Sequence, residues 1–251
     1  MTDLSGPVLQ TFGDPLLLLA ALATGIAGMM RGYAGFGTAI LLAPVFSTLW
    51  DPRTGVPIML LMELVVSAQL LPKALKEADR RVILPIGLAA VIGTPIGAWV
   101  LIHADGETLR RSIGVLVLTF GLALMSPWRY HGARPLPLNL AIGGVSGLMK
   151  GATGMSGPPV ILYLLSGPEE AKRHRANLIL FFGLIGIVAV IPPLWAGLIG
   201  IATLLRTLIL LPVMVVTVRI GASLFHVIPV RWYRRFAFGA LVAAGLVAAL
   251  A

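Results

Sequence analysis

The chain has 251 residues, 58% of them hydrophobic and only 12% charged, with a formal net charge of +9 and a mean hydropathy of +0.96. A soluble domain carries about 25% charged residues, so this composition excludes a water-soluble globular fold, and with it the nucleic-acid partner that such a charge would suggest there. Cysteine is absent, which excludes disulfides, thiolate metal sites and thiol catalysis.

The N-terminal segment, residues 1–14, has no basic stretch ahead of the first apolar run, so no cleaved signal peptide is expected. Apolar runs then predict helices over 15–30, 38–50, 55–73, 82–102, 109–128, 137–149, 158–166, 175–195, 199–218 and 233–251. Several reach the ~17–25 residues that a spanning helix needs. The polar loops between them are too short to hold a separate soluble domain. The fold class is an all-α polytopic membrane protein.

Two stretches interrupt the pattern. "GMMRGYAGFGTAILLAPVFS" in the first half is echoed by "GLMKGATGMSGPPVILYLLS" in the second, so that Gly28, Arg31, Gly32, Gly35 and Ser47 align with Gly147, Lys150, Gly151, Gly154 and Ser166 (150 − 31 = 119). Further on the offset grows by five: Gly97 matches Gly221, Arg110-Arg111 match Arg234-Arg235, and Gly121 matches Gly245 (245 − 121 = 124). The ordered matches predict a duplication, repeat 1 over 15–128 and repeat 2 over 129–251, within one integral membrane domain. Each repeat reads as two short helices joined by a Gly-rich break, followed by three longer helices. One helix running through the first break would be about 36 residues, near 54 Å at 1.5 Å per residue, too long for a hydrocarbon core of ~30 Å. A re-entrant hairpin at each break is therefore expected.

Charge in the loops tests that expectation. With hairpins, loops 73–81, 129–136, 167–175 and 226–235 share one side and carry twelve Lys and Arg, against Arg53, Arg110 and Arg111 on the other. Counting each break as a single crossing would split the same residues nine to six. The positive-inside rule favours the hairpins, with both termini outside, the two repeats inverted relative to one another, and a cell (inner or plasma) membrane as the location.

Inverted repeats with helices broken at matching places point to a transporter's central site, because unwound backbone at membrane depth is tolerated only where protein buries it or it lines a cavity. The candidate substrate-binding residues are Arg31, Gly32, Tyr33, Gly35, Phe36, Gly37 and Thr38 at the first break. At the second they are Lys150, Gly151, Thr153, Gly154, Met155, Ser156 and Gly157. Two cationic side chains, the hydroxyls of Thr38, Thr153 and Ser156, and helix N-termini near Thr38 and Pro158 suit a small anion. Tyr33, Phe36 and Met155 would supply an apolar wall for an organic tail. Glycines at Gly93 and Gly97, by contrast, read as helix packing.

Glu63 is the one acid inside a long apolar run, "VPIMLLMELVVSAQLL". Intramembrane carboxylates are costly and mark function by default; a coupling proton, or an ion pair with Arg31 or Lys150, are its two uses. Its counterpart 119 residues on is Phe182 (63 + 119), so the halves differ here. Arg206 and Arg219 bracket one apolar run and mark its ends, and Asn177 suits a cap or interface contact. No nucleophile–base set, metal-ligand cluster or nucleotide-binding loop is found, so neither an enzyme nor a cofactor is expected. The lipid bilayer is an implied partner, and the sequence leaves the oligomeric state open, a homodimer among the alternatives.

The paired breaks, with "GTPIGAWV", "RIGASL" and the Arg-Arg loops, resemble the TauE/SafE family of sulfite exporter-like permeases from about residue 15 to 250. The resemblance implies a secondary transporter of sulfur-containing or small organic anions such as sulfite, sulfoacetate or another organosulfonate. It also implies that Arg31–Thr38 and Lys150–Pro158 form the central site. "GYAGFG" departs from the denser glycine run usual in the family, with Tyr33 and Phe36 placed to reshape the pocket. Alternating access, with a proton as the coupling ion, is the expected mechanism; an anion channel, or a carrier of a small carboxylate, is the alternative.

Overall fold

A computed structural model describes residues 13–125, 134–166 and 170–225, together with the single positions 11, 130, 132, 227 and 239. The expected helix over 233–251, position 239 apart, and the basic residues Arg129, Arg231, Arg234 and Arg235 lie outside the described residues, as do the first ten residues. Among the described residues the chain is helical: α1 Leu16–Ala34, α2 Thr38–Trp50, α3 Pro52–Glu77, α4 Arg80–His103, α5 Gly106–Met125, α6 Leu136–Thr153, α7 Gly157–Leu165, α8 Ala171–Trp195 and α9 Ile201–Leu224. Five of these (α1, α3, α4, α8, α9) are long and apolar enough to cross a membrane.

Helix boundaries follow from local chemistry. α3 opens on Asp51, whose carboxylate accepts from the Arg53 amide at 2.9 Å, with Pro52 in the first turn where its missing N–H is harmless. α4 opens on Asp79, which accepts from the Arg81 amide at 3.0 Å. α1 and α6 both end on a left-handed glycine, Gly35 (φ 81°) and Gly154 (φ 74°), whose amides donate to the carbonyls of Arg31 and Lys150, each at 2.9 Å. Only glycine takes that conformation without strain. The first helix of each pair therefore runs through its basic residue, and the break is shorter than the glycine content suggests: 35–37 in one case, 154–156 in the other.

The chain turns back at each break. Trp50 at the end of α2 donates its indole N–H to Asp14, just before α1, at 2.8 Å, and Arg206 of α9 donates to the same oxygen at 3.2 Å. The second pair is tied at its base by Arg134, which donates to the Tyr163 carbonyl at 3.1 Å, and by Tyr163, whose hydroxyl donates to Asn139 Oδ1 at 2.6 Å. The two tips meet where Ile40 of α2 lies beside Gly157 of α7.

α1 packs on α9 and α6 packs on α4, backbone against backbone. Gly32 faces the Val218 carbonyl and the Ala222 amide; Gly151 faces the Thr94 carbonyl and the Ala98 amide. Gly221 faces the Met29 carbonyl as Gly97 faces that of Leu148. The two sets are related by the offsets found in the sequence (151 − 32 = 119; 218 − 94 = 124). Gly93, against the Gly144 carbonyl, packs as expected. α3 and α8 cross between these pairs. On the outer face of α4, Leu88, Ile92, Ile96 and Trp99 form an exposed apolar stripe, the surface that a bilayer covers.

Candidate anion-binding site

The centre of the molecule is built on α3. Glu63 points inward midway along it and pairs with Lys150 Nζ from α6; its other oxygen lies 4.0 Å from Arg31 Nη1. All three side chains are at most 2% exposed. Arg31 also donates to the Gly35 carbonyl at 2.7 Å and to Ser67 Oγ at 3.1 Å, and its guanidinium carbon lies 4.7 Å from the centre of the Phe182 ring. The C-terminal ends of α1 and α6 thus bring two cations to one carboxylate on α3.

Two cations and one carboxylate leave an excess positive charge away from water, and a buried uncompensated charge is costly. Arg31 Nε, and at the two breaks the hydroxyls of Thr38 and Ser156, are buried and have no hydrogen-bond partner among the described residues. Buried polar groups are normally satisfied, so unused donors at both breaks, together with excess positive charge, suit an oxyanion. No cluster of metal-ligating side chains occurs among the described residues.

Not every candidate faces this centre. Gly32 and Gly151 turn their Cα faces to α9 and α4, so their absent side chains serve helix contact. Tyr33 sets its ring edge-on to Phe225, centroids 5.5 Å apart. The Thr153 hydroxyl donates to the Met149 carbonyl at 2.8 Å and accepts from the Met155 amide at 3.2 Å, which shapes the turn. Phe36 and Met155 are buried in the apolar core beside the breaks. Gly37 lies against Met30, Gly35 against Arg175 and Ile179, and Gly154 against Val56 and Met59. Asn177 accepts from the Asp79 amide at 2.7 Å, tying α8 to the α3–α4 turn.

Three residues were not expected here. Ser67 lies one turn beyond Glu63, a spacing that puts it on the same face. Phe182 is the offset partner of Glu63. Arg175, counted with the loop charges, is in α8 and donates to the Gly32 carbonyl through Nη2 at 2.7 Å and Nε at 3.2 Å.

Broken helix pairs folded around a buried Arg–Glu–Lys group, in a multi-pass membrane protein that is helical among the described residues, are the architecture of a transporter. The family described as Sulfite exporter TauE/SafE matches residues 20–248. The chain belongs to that family. It is 28% identical over 244 residues to a protein of Cupriavidus necator named "Probable sulfite/organosulfonate exporter TauE", with 92% of each chain covered. No solved structure matches the chain.

Proposed function

We propose that this protein is a secondary transporter of sulfite or a small organosulfonate, with the anion held between Arg31, Lys150 and the hydroxyls of Thr38 and Ser156. The observation that carries this reading is the excess positive charge of the buried Arg31–Glu63–Lys150 group, together with unpartnered buried donors on Arg31 itself and at the two breaks. A sulfonate or sulfite head presents compact charged oxygens, which suit a guanidinium, an ammonium and hydroxyl donors. The name of the Cupriavidus necator relative supports that substrate class.

The mechanism that fits is alternating access. The paired contacts of α1 on α9 and α6 on α4 support two inverted repeats, with the two hairpins exposing the centre in turn. Glu63 suits a coupling role: protonated, it releases Lys150 and Arg31 to the anion; ionised, it competes with the anion for both. The basic end bearing Lys73, Arg80 and Lys172 is cytoplasmic in this reading, both termini lie outside, and the site is the cell membrane. A homodimer is compatible with it.

The test is solid-supported-membrane current, backed by labelled flux for electroneutral exchange, from proteoliposomes given sulfite, sulfate, thiosulfate, sulfoacetate, isethionate, taurine and small carboxylates. Transport confined to sulfur oxyanions and lost in Arg31→Ala establishes the reading. Transport of carboxylates alone, or sulfite transport undiminished in Arg31→Ala, overturns it.

A further inference from the structure

A cavity of about 140 Å³ lies at one end of α3, bounded by Gln69, Lys73, Glu77, Arg175, Ile179 and Ala222. At about 30 Å³ per water, it holds on the order of four or five waters, the size of a short-chain oxyanion. Its wall charges are Lys73, Arg175 and Glu77, and Glu77 is already paired with Lys172 at 3.2 Å. That leaves the lining net positive.

Two helix faces lead from the cavity to the buried centre. On α3, Glu63, Ser67, Leu70, Ala74 and Glu77 follow one another at spacings of four and three, which is one helical stripe. The first two hold Arg31 and Lys150, and the last three line the cavity. On α8, Arg175, Ile179 and Phe182 form the matching stripe, from the cavity wall to the ring beneath Arg31. Seven residues of helix separate Arg175 from Phe182, about 10 Å. Between the two lies the last turn of α1, where the Gly32 carbonyl accepts both hydrogen bonds from Arg175. The opposite approach is filled instead: Val56 and Met59, on α3 beyond Glu63, press against Gly154.

We propose that this cavity is an access subsite for the anion on the Lys73–Lys172 side, and that Arg175 is a specificity-determining residue that binds the anion's head before Arg31 does. The proposal rests on the transport reading above. An arriving oxyanion offers Arg175 a charged acceptor in place of the neutral Gly32 carbonyl, and charge-assisted hydrogen bonds are the stronger. Arg175 then leaves Gly32, which frees the end of α1 at the break. Lys73 contributes attraction, and the Gln69 carboxamide on the cavity wall has amide hydrogens for a second anion oxygen.

Arg175→Gln and Lys73→Gln, reconstituted in one orientation, are expected to raise KM for sulfite presented from this side about tenfold and threefold, with KM from the other side changed less than twofold. Arg175→Lys should recover part of the loss. Equal KM on both sides in both variants would overturn the assignment. Because the chain contains no cysteine, Gln69→Cys supplies a readout independent of transport. An anionic methanethiosulfonate should label it faster than a cationic one, from this side only, and Arg175→Gln should remove the preference. Labelling from the other side, or without charge preference, sinks the subsite. If the wild type carries no sulfite, the substrate reading fails, while the labelling still decides the cavity.

Discussion

Glu63 and Phe182, 119 residues apart (182 − 63), face the two buried cations from opposite helices: Glu63 pairs with Lys150, and Phe182 lies 4.7 Å from the guanidinium carbon of Arg31. One of these positions neutralises a charge and the other only offers a ring face, worth about 0.5–2 kcal/mol. The centre is therefore one carboxylate short.

If an anion makes up that shortage as proposed, stability should depend on anions. Removing one partner of a buried pair costs about 3–5 kcal/mol, because it strands the other charge. Glu63→Gln strands both Arg31 and Lys150, whereas Lys150→Met leaves Arg31 and Glu63 to compensate each other. In detergent without sulfite, Glu63→Gln should melt well below Lys150→Met. Sulfite at a hundredfold excess over Kd should raise wild-type stability by about 2.7 kcal/mol, raise Glu63→Gln further, and leave Lys150→Met nearly unmoved. Equal sulfite response in all three proteins would mean the anion binds elsewhere.

The glycines divide sharply by what a methyl group would meet. A Cβ at Gly151 would overlap the Thr94 carbonyl and one at Gly97 that of Leu148, while Gly144 and Gly186 have open space around them. Overpacking at a rigid backbone contact typically costs about 1–3 kcal/mol or more. Gly151→Ala and Gly97→Ala should sharply reduce monodisperse yield in detergent; Gly144→Ala and Gly186→Ala should match the wild type. Size-exclusion profiles of the four variants decide the matter.

The site's legibility tracks how local its causes are. Glu63 stood out because an acid in an apolar run needs either a proton or a cationic partner, and Arg31 and Lys150 because each precedes a glycine cluster. The helix ends were misplaced because Arg31, Gly32 and Tyr33 are compatible with helix once Gly32 has a partner in α9, a tertiary contact that no window reveals. The chain stops only at Gly35, where a positive φ is imposed. Thr153 looked like a ligand hydroxyl, yet a carbonyl four residues back claims it, the usual competition for threonine in a helix. Arg175 was invisible as a site residue because α8 begins at Ala171 rather than 175, which moves it from the loop into the first turns of a helix facing α1.

Topology is open to the same thiol chemistry. Arg53 donates to the Ala104 carbonyl at 2.9 Å, at the end where α3 starts and α4 finishes. Lys172 pairs with Glu77 at the opposite end of α3. Arg53→Cys and Lys172→Cys should react with an impermeant maleimide from opposite faces of the membrane, Arg53→Cys from outside in intact cells and Lys172→Cys only after permeabilisation. Labelling of both from one face would refute the crossing of α3, and with it the assigned sidedness.

The base of the first hairpin carries a pH dependence of its own. Asp14 lies ahead of α1, where burial opposes its ionisation, but the Leu16 amide, the Trp50 indole and Arg206 outweigh it and hold its pKa below the ordinary carboxylate value. A folded pKa below the unfolded one means that the folded chain binds this proton less tightly. The stabilisation is then complete above the unfolded value, about 4, and is lost as pH falls through the lowered folded value. Asp14→Ala removes acceptors for three donors at once and should lower stability by about 1–3 kcal/mol at pH 7. Between pH 7 and pH 5 the difference from wild type should stay constant, and it should shrink below about pH 4. Melts of the two proteins across pH 3–7 measure that difference directly. A gap that is flat to pH 3, or that widens on acidification, would show that Asp14 does not hold the end of α2 through its charge, leaving the Arg206 guanidinium on the Trp50 ring, 4.8 Å away, as the closure of that hairpin.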